Sequence, residues 1–498
     1  MKSIPVGTRL LPVFLVAGSI VSVSRGAGGP SNILLLISDD LRPDVGCYGD
    51  KTALTPNIDR LASQGVLFEQ AFCVQALCAP SRNALLTGLR PDTTKVWDVW
   101  TFFRKAVPDE VTLPQLLQQH GWFTEAIGKV YHTNLDDPAS WSVPHVMPDD
   151  SLYGSPATKA LLAEKRRQAI AEGLTGVPYA RAIRSGPPAE APEVPDNALV
   201  DGKIADLAVA ALEQLNDRHQ RFFLAVGFTK PHLPYVAPRK YWDLYDERKI
   251  PLSPHPGRPE GAPPFALGTS GEMYGYDRVP NADKMTTDYQ RWLRHGYLAA
   301  TSYMDAQVGR VLAELKRLGL AQDTLVIFWG DNGYKLGDYQ AWTKTTNVML
   351  DTRIPLIIRA PGIAPAGTRA NGLVEVVDIY PTLLKLLGYA GPAYLEGTSF
   401  LPLLESPRAH WKRAIFTQSP QTDQGVPVMG YSIVTERFRL TRWVDRATLE
   451  REVAVELYDH SKDPAEMQNV ANVPAYAAVV KRLKQELLRG WKAVPQPQ

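Results

Sequence analysis

The chain has few cysteines, no N-glycosylation acceptor and no excess of charge of either sign. Only Cys47, Cys73 and Cys78 occur among its 498 residues. This number argues against a scaffold stapled by disulfides, which usually has an even set. The lack of any Asn-x-Ser/Thr acceptor argues against a glycosylated lysosomal protein. A net charge of +2 gives no sign of a nucleic-acid partner.

Beyond the N-terminus, no run is apolar and long enough to span a bilayer. Lys2 and Arg9 precede an apolar run over residues 10–23, and small residues follow up to Gly29. This layout predicts a secretory signal peptide over residues 1–27, since the run is short for a membrane anchor. We therefore expect a periplasmic or secreted bacterial protein with no stable membrane insertion after cleavage.

Short apolar runs that end in polar residues recur along the rest of the chain. Three of them, typical of strands buried on both faces, cover residues 32–38, 222–226 and 324–329. Helical patterns lie between them, at residues 58–64, 113–120 and 297–318. This alternation predicts an α/β fold with a large, mostly parallel sheet between layers of helices. In such folds, ligands bind beyond the carboxyl ends of the strands.

The composition also divides the chain. Stretches rich in Pro, Gly and charge at residues 137–200 and 250–285 are predicted surface insertions that shape the mouth of a pocket. Past residue 405 the pattern changes to strands around 431–444 and 455–458 and a helix over 474–491. We predict a catalytic domain over residues 28–405 and a smaller α+β domain over 406–498.

Two pairs of polar residues directly follow apolar strands. They are Asp39-Asp40 and Asp331-Asn332, which together offer three carboxylates and one amide oxygen. Such an oxygen-only set suits Ca²⁺ or Mg²⁺, and the lack of His or Cys disfavours Zn²⁺. One Asp pair alone would more simply cap the next loop, but two such pairs favour a metal site.

The run Cys78-Ala79-Pro80-Ser81-Arg82 opens an apolar stretch that Gly88 can end. Proline is favoured in the first turn of a helix, so Cys78 is predicted at a helix N-terminus, where the helix dipole favours negative charge. Arg82 adds a positive fork suited to a tetrahedral oxyanion. A buried structural cysteine is the alternative that this segment alone leaves open.

This pentapeptide matches the C-x-P-S-R signature of the type I sulfatases. Residues 36–43 and 55–62 resemble the first metal motif of that family and the segment after it, and residues 456–459 and 463–466 resemble its C-terminal motif. Segments that resemble specifically the iduronate-2-sulfatase branch lie at 128–132, 230–235, 297–310 and 337–344. The resemblance spans about residues 30–472 and implies an alkaline-phosphatase-like fold. One departure is Asn332, where the lysosomal enzyme of that branch has histidine.

The resemblance implies a sulfuric ester hydrolase whose nucleophile is hydrated formylglycine, made from Cys78 by a formylglycine-generating enzyme. One Ca²⁺ would be held by Asp39, Asp40, residue 78, Asp331 and Asn332, and would acidify the attacking hydroxyl. Arg82, Lys129 and Lys344 would hold the sulfonyl oxygens. His232, with Lys344, would protonate the leaving oxygen, and His132 would act as the base that expels sulfate. Whether Cys47 and Cys73 pair stays open.

The branch resemblance further implies a sulfated oligosaccharide substrate that loses the 2-O-sulfate of a terminal uronate, in a glycosaminoglycan or an algal polysaccharide. Lys129, His232 and Lys344 are predicted to bind it, and Lys335 and Arg104 are candidates for its carboxylate. Trp97, Trp100 and Trp342 are candidate stacking walls, with core packing as the alternative. Rival functions are a sulfatase of another sugar, a phosphonate or phosphodiester hydrolase, and a non-catalytic carbohydrate-binding protein.

Overall fold

The computed structural model describes residues 30–148, 152–269 and 271–493. The predicted signal peptide at residues 1–27 therefore lies outside the described residues. Within these ranges, no helix is long and apolar enough to cross a membrane.

A seven-stranded sheet forms the centre of the molecule. Its strands are β1 Asn32–Asp39, β2 Val66–Phe68, β3 Phe123–Gly128, β4 Phe222–Pro231, β5 Thr324–Gly330, β6 Leu356–Arg359 and β7 Thr368–Ala370. They lie in the order β7-β2-β6-β5-β1-β4-β3. Within this sheet only β6 runs antiparallel to its neighbours. The predicted mostly parallel sheet is confirmed.

The chain forms many helices, and some of them cover both faces of this sheet. The longer ones are α1 Pro56–Ser63, α2 Cys78–Thr87, α3 Leu113–Gln119, α4 Pro156–Ala171, α5 Gly176–Arg184, α6 Val200–Arg218, α7 Thr287–Arg317, α8 Ile379–Leu387 and α9 Ala477–Arg489. Ile33, Leu35 and Ile37 of β1 share a core with α2, α3 and α8. Leu34 and Leu36 share the opposite core with α1, α6 and α7. A strand packed on both sides must be apolar at every position, which explains its continuous run.

The chain ends in a smaller antiparallel sheet of four strands, β8 Ala414–Asp423, β9 Val426–Thr435, β10 Phe438–Asp445 and β11 Glu452–Asp459. Helix α9 packs on it through Leu483, which is buried with Ile433 and Leu440. The predicted smaller α+β unit is confirmed, and its boundary at residues 405/406 stays a prediction.

Shorter strands complete the fold around the site. Ala71–Phe72, Arg353–Ile354 and Val374–Glu375 form a three-stranded sheet. Two-residue strands pair Ala189–Glu190 with Tyr235–Val236 and Lys335–Leu336 with Trp342–Thr343. The insertion at 137–200 carries α4 and α5, and the one at 250–285 contains one-turn 3₁₀ helices at Pro264–Leu267 and Met273–Gly275.

Candidate active site

The two pairs of polar residues meet at the carboxyl edge of the sheet, because β1 and β5 are parallel neighbours. Carboxylate oxygens of Asp39, Asp40 and Asp331 all lie within 4.8 Å of one another. The backbone N–H of Asp40 donates to Asp331 Oδ1 at 3.0 Å, and Asn332 Nδ2 donates to Asp40 Oδ1 at 2.7 Å. All four residues are fully buried, so neighbouring strand ends build one closed acidic cluster.

This cluster fits a hard divalent cation. Asn332 Oδ1 is buried and has no hydrogen-bond partner in the described part of the chain. Burial and the nearby Asp39 carboxylate raise the pKa of Asp331 to about 6. A divalent cation between these oxygens would satisfy the free amide oxygen and relieve the crowding of negative charge.

Cys78 is the first residue of α2, and Gly88 ends that helix at a φ of 69°, as predicted. Its Sγ donates to Asp39 Oδ1 at 3.3 Å. Burial and the Asp39 carboxylate raise the pKa of the Cys78 thiol well above its ordinary value. A buried neutral thiol is a weak nucleophile. Cys47 and Cys73 are free thiols in the structure, so they do not pair.

Three cations surround the carboxylates, and Arg82 contacts two of them, since its Nη2 also lies 3.6 Å from Asp39 Oδ1. Arg82 Nε donates to Asp331 Oδ2 at 2.8 Å, Lys129 forms an ion pair with Asp39, and Lys344 Nζ lies 2.6 Å from Asp40 Oδ2. Burial alone would raise the pKa of Asp39. The neighbouring positive charges, Lys129 first, outweigh it and hold this pKa well below its ordinary value.

The two predicted histidines have opposite electrostatic surroundings. Burial and Lys129 lower the pKa of His132 to about 2, and its Nδ1 is buried without a partner among residues that the structure describes. Burial and Lys344 would also lower the pKa of His232, but Glu272 and the metal-site carboxylates outweigh them and raise it. His232 Nδ1 lies 2.6 Å from the carbonyl oxygen of Leu233, so this nitrogen carries the hydrogen and Nε2 faces the site.

Glu272 is a site residue that sequence reasoning missed. Its carboxylate lies 2.9 Å from His232 Nε2 and 3.1 Å from Lys344 Nζ. Burial would raise the pKa of Glu272, but Lys344 and His232 hold it below its ordinary value. It belongs to the predicted insertion at 250–285, where no motif or periodicity marks it. The expectation that this insertion shapes the pocket mouth agrees with this contact.

Other predicted substrate contacts lie apart from the carboxylate cluster. Lys335 is fully buried in an ion pair with Asp351. Arg104 binds Asp137 through two nitrogens, at 3.1 and 2.7 Å. In the structure, a carboxylate of the chain is thus already paired with each of these two charges. Among the tryptophans, Trp342 is packed in a core cluster, whereas Trp97 is half-buried and Trp100 is 61% exposed.

The chain is similar to known proteins along nearly its whole length. Residues 31–389 match the family model described as Sulfatase, and residues 337–492 match the one described as N-sulphoglucosamine sulphohydrolase, C-terminal. Iduronate 2-sulfatase of Mus musculus is 33% identical, covering 95% of this chain and 97% of the relative. The Homo sapiens protein of the same name is also 33% identical, covering 89% and 91%.

Solved structures share the fold. One is described as a complex with its substrate D-glucosamine-2-N,6-O-disulfate, with a TM-score of 0.72 and 23% identity, covering 93% of this chain and 98% of the other. Another, the phosphonate monoester hydrolase of Agrobacterium radiobacter, has the same TM-score and identity and covers 93% and 95%.

Proposed function

This chain belongs to the sulfatase family and is a sulfuric ester hydrolase, and we propose that it removes the 2-O-sulfate of a terminal uronate. The substrate would be a glycosaminoglycan or an algal polysaccharide. The observation that carries the proposal is the identity of 33% to iduronate 2-sulfatase over nearly both whole chains. The convergence of three buried carboxylates, residue 78 and three cations at one strand edge supports the same chemistry.

The proposal includes two groups that complete the site. Asp39, Asp40, Asp331 and Asn332, with residue 78 beside them, would hold one Ca²⁺. When present, the ion supplies positive charge and acidity, and formylglycine at position 78 supplies a hydrated aldehyde as nucleophile. The neutral state of the unmodified Cys78 thiol supports the view that this residue acts in a modified form.

The cations would bind the sulfate group and hold it in place. Lys129 is paired with Asp39, Lys344 with Asp40, and Arg82 with Asp331. All three side chains are at least 90% buried, where a charge acts more strongly than in water. They would therefore stabilise the negative charge that builds on the sulfonyl oxygens in the transition state.

The two histidines would divide the proton transfers. His232 has a raised pKa and directs Nε2 to the site, which suits a general acid for the departing sugar oxygen. His132 has a lowered pKa and a free Nδ1 among the described residues, so its ring is neutral, which is the state from which a base accepts a proton. Surroundings that shift the pKa values of two titratable groups in opposite directions are the usual basis for assigning one group as the acid and the other as the base.

Two measurements test the proposal. Intact mass of the tryptic peptide that contains residue 78 should show a product lighter than cysteine, as expected for an aldehyde. Sulfate release should be faster from saccharides with a terminal 2-O-sulfated uronate than from matched 4-O- and 6-O-sulfated saccharides. Release from the latter alone would refute the 2-O-uronate assignment, and an active protein with unmodified Cys78 would refute the nucleophile.

A further inference from the structure

A cavity that the proposed mechanism does not use lies next to Thr345, the residue that follows Lys344. It has a volume of about 650 Å³ and lies between residues 264–269 and the tip of the β8–β9 hairpin. Its walls include Phe265, Gly268, Gln421 and Arg446. This volume is in the range of small-molecule sites, about 300–1,000 Å³.

The cavity touches the turn that carries Lys344. Gln421 Nε2 donates to the carbonyl oxygen of Thr345 at 2.5 Å, and a Cβ placed on Gly268 would lie 3.4 Å from Thr345 Oγ1. From the other side, Thr269 of the cavity wall precedes Glu272 by three residues, which span at most ~11 Å of chain. The cavity is therefore within reach of an oligosaccharide whose terminal sugar occupies the active site.

The lining suits a sugar ring. Phe265 is half-buried, and its ring packs against Trp443 in a T-shaped pair at 5.1 Å, so its position is supported from one side. Polar side chains of Gln421, Thr422 and Gln424 stand around it. An aromatic face with a few hydrogen-bonding groups is a common design of small-molecule sites.

Arg446 contributes a positive charge to the wall of the cavity, and its side chain stacks on Trp97. Its guanidinium lies 4.6 Å from the centre of the Trp97 ring, and the ammonium of Lys95 lies 5.6 Å from the same ring. The nearby Arg451 is paired with Asp445 at 3.0 Å, whereas no ion pair of Arg446 occurs within residues 30–148, 152–269 and 271–493. Asp423 also lines the cavity. A stacked arginine free of a carboxylate suits planar recognition of an anionic group.

We propose that this cavity is a binding site for the sugar next to the sulfated terminal sugar of an acidic oligosaccharide. Phe265 packs against its ring, and Arg446 binds an anionic oxygen group, either a sulfate or a carboxylate. This inference rests on the proposed function, because it takes the terminal sugar to lie at residue 78. It predicts that extended acidic substrates bind more tightly than single sugars.

The test compares Arg446→Gln with the wild-type holoenzyme on three substrates that share a terminal 2-O-sulfated uronate. One is the methylumbelliferyl monosaccharide, one is a tetrasaccharide with a sulfated second sugar, and one is the same tetrasaccharide without that sulfate. We expect the variant to raise KM for the sulfated tetrasaccharide about tenfold, a change of about 1.4 kcal/mol. For the variant, the ratio of kcat/KM on the sulfated tetrasaccharide to kcat/KM on the monosaccharide should also fall about tenfold.

The third substrate identifies the anionic group. If Arg446 binds the sulfate of the second sugar, only the sulfated tetrasaccharide is affected, whereas binding of a carboxylate that both tetrasaccharides carry affects both. Arg451→Gln is the matched control, since that arginine is already paired, and its kcat/KM ratios should equal those of the wild type. Equal effects of Arg446→Gln on all three substrates, or none, would overturn the inference.

Binding separates this inference from the proposed function. Calorimetry with the sulfated tetrasaccharide on Cys78→Ser protein, with and without Arg446→Gln, should show about tenfold weaker binding in the double variant. If wild type fails to release 2-O-sulfate yet this difference is found, the proposed function fails and the site stands. Equal binding by both variants refutes the site.

Discussion

In the side-chain amide of Asn332, only the nitrogen has hydrogen-bond partners in the described part of the chain. Its nitrogen donates to Asp40 Oδ1 at 2.7 Å and to the Gly333 carbonyl oxygen at 2.9 Å, while Oδ1 is buried without a partner in the described part of the chain. A buried polar atom left unpaired costs about 1–3 kcal/mol. At the residue scale, this orphan oxygen is the clearest indication that the carboxylate cluster has a further occupant.

Asn332→Leu keeps the side-chain volume and removes that oxygen. We expect the affinity for Ca²⁺ to fall at least about tenfold, by analogy with the loss of groups around metal sites. Calorimetric titration of EDTA-treated protein measures the affinity, and the Ca²⁺-induced rise in Tm reports the same linkage.

Asn371, an exposed residue, provides the control: Asn371→Leu should bind Ca²⁺ as the wild type does. An unchanged affinity in Asn332→Leu would show that the amide oxygen is not a ligand.

At the scale of elements, Lys344 lies in a turn that follows the short strand Trp342–Thr343. The residues on both sides of Lys344 have strained backbone conformations. Thr343 and Thr345 have φ values of 76° and 85°, which are rare and costly for β-branched residues. The Thr345 N–H donates to the Ala76 carbonyl oxygen at 3.1 Å, and its carbonyl accepts from Ser419 Oγ at 2.7 Å and Gln421 Nε2 at 2.5 Å. Strand β8 thus holds the turn from the C-terminal sheet.

The double change Ser419→Ala with Gln421→Ala should release this turn. We expect kcat on the monosaccharide substrate to fall about tenfold and KM to rise, because Lys344, which is proposed to bind the sulfate group, loses its placement. Adding Thr345→Gly should restore much of kcat, since glycine adopts positive φ without the cost.

The short substrate excludes effects from the adjacent cavity, which Gln421 also lines. Val426→Ala, at an exposed position on the same hairpin, should leave kcat unchanged. If adding Thr345→Gly to the double variant fails to raise kcat, then the hairpin does not act by holding the backbone of the Lys344 turn in place.

For the whole molecule, the C-terminal sheet is joined to the catalytic core through buried polar contacts. Arg439 donates to both oxygens of Glu466 at 2.7 and 2.9 Å, and both side chains are 1% exposed. The same carboxylate accepts from the backbone N–H of Met349 at 3.1 Å, a residue that follows Lys344 by five positions in the chain. One buried ion pair therefore supports the small domain and its junction with the large one.

Glu466→Gln should lower the free energy of unfolding by about 3–5 kcal/mol at neutral pH, because it removes the carboxylate that is paired with the buried Arg439 charge. Urea unfolding measures this difference. Glu164→Gln, which removes an exposed pair with Arg167, should show no measurable change. A loss no larger than that of the surface control would contradict a stabilising role.

The difference in unfolding free energy between the wild type and Glu466→Gln depends on pH in a defined direction. Burial would raise the pKa of Glu466, but Arg439 and His460 outweigh it and hold the pKa at about 2, below an unfolded value of about 4.3. The stabilisation is thus complete above about pH 4.3 and is lost as the pH falls toward 2. The gap in unfolding free energy between wild type and Glu466→Gln should narrow over that interval.

The sequence by itself determined the fold class and the cluster of polar residues at the strand ends. A continuous apolar run such as residues 32–38 can be stable only as a strand covered on both faces, and polar residues after parallel strands must meet at one edge. The short motif around Cys78 likewise predicted the helix that begins there. Local pattern was sufficient in these cases because the backbone geometry of strand and helix sets where each side chain lies.

Only the tertiary structure decided which side chains outside regular elements reach the site. Glu272 joins His232 and Lys344 from an insertion without periodicity, whereas Lys335 is buried against Asp351 and Trp342 in a core cluster. In irregular segments the direction of a side chain depends on contacts with residues far along the chain, such as those of Ser419 and Gln421 with Thr345. Those contacts exist only once the two domains have packed together.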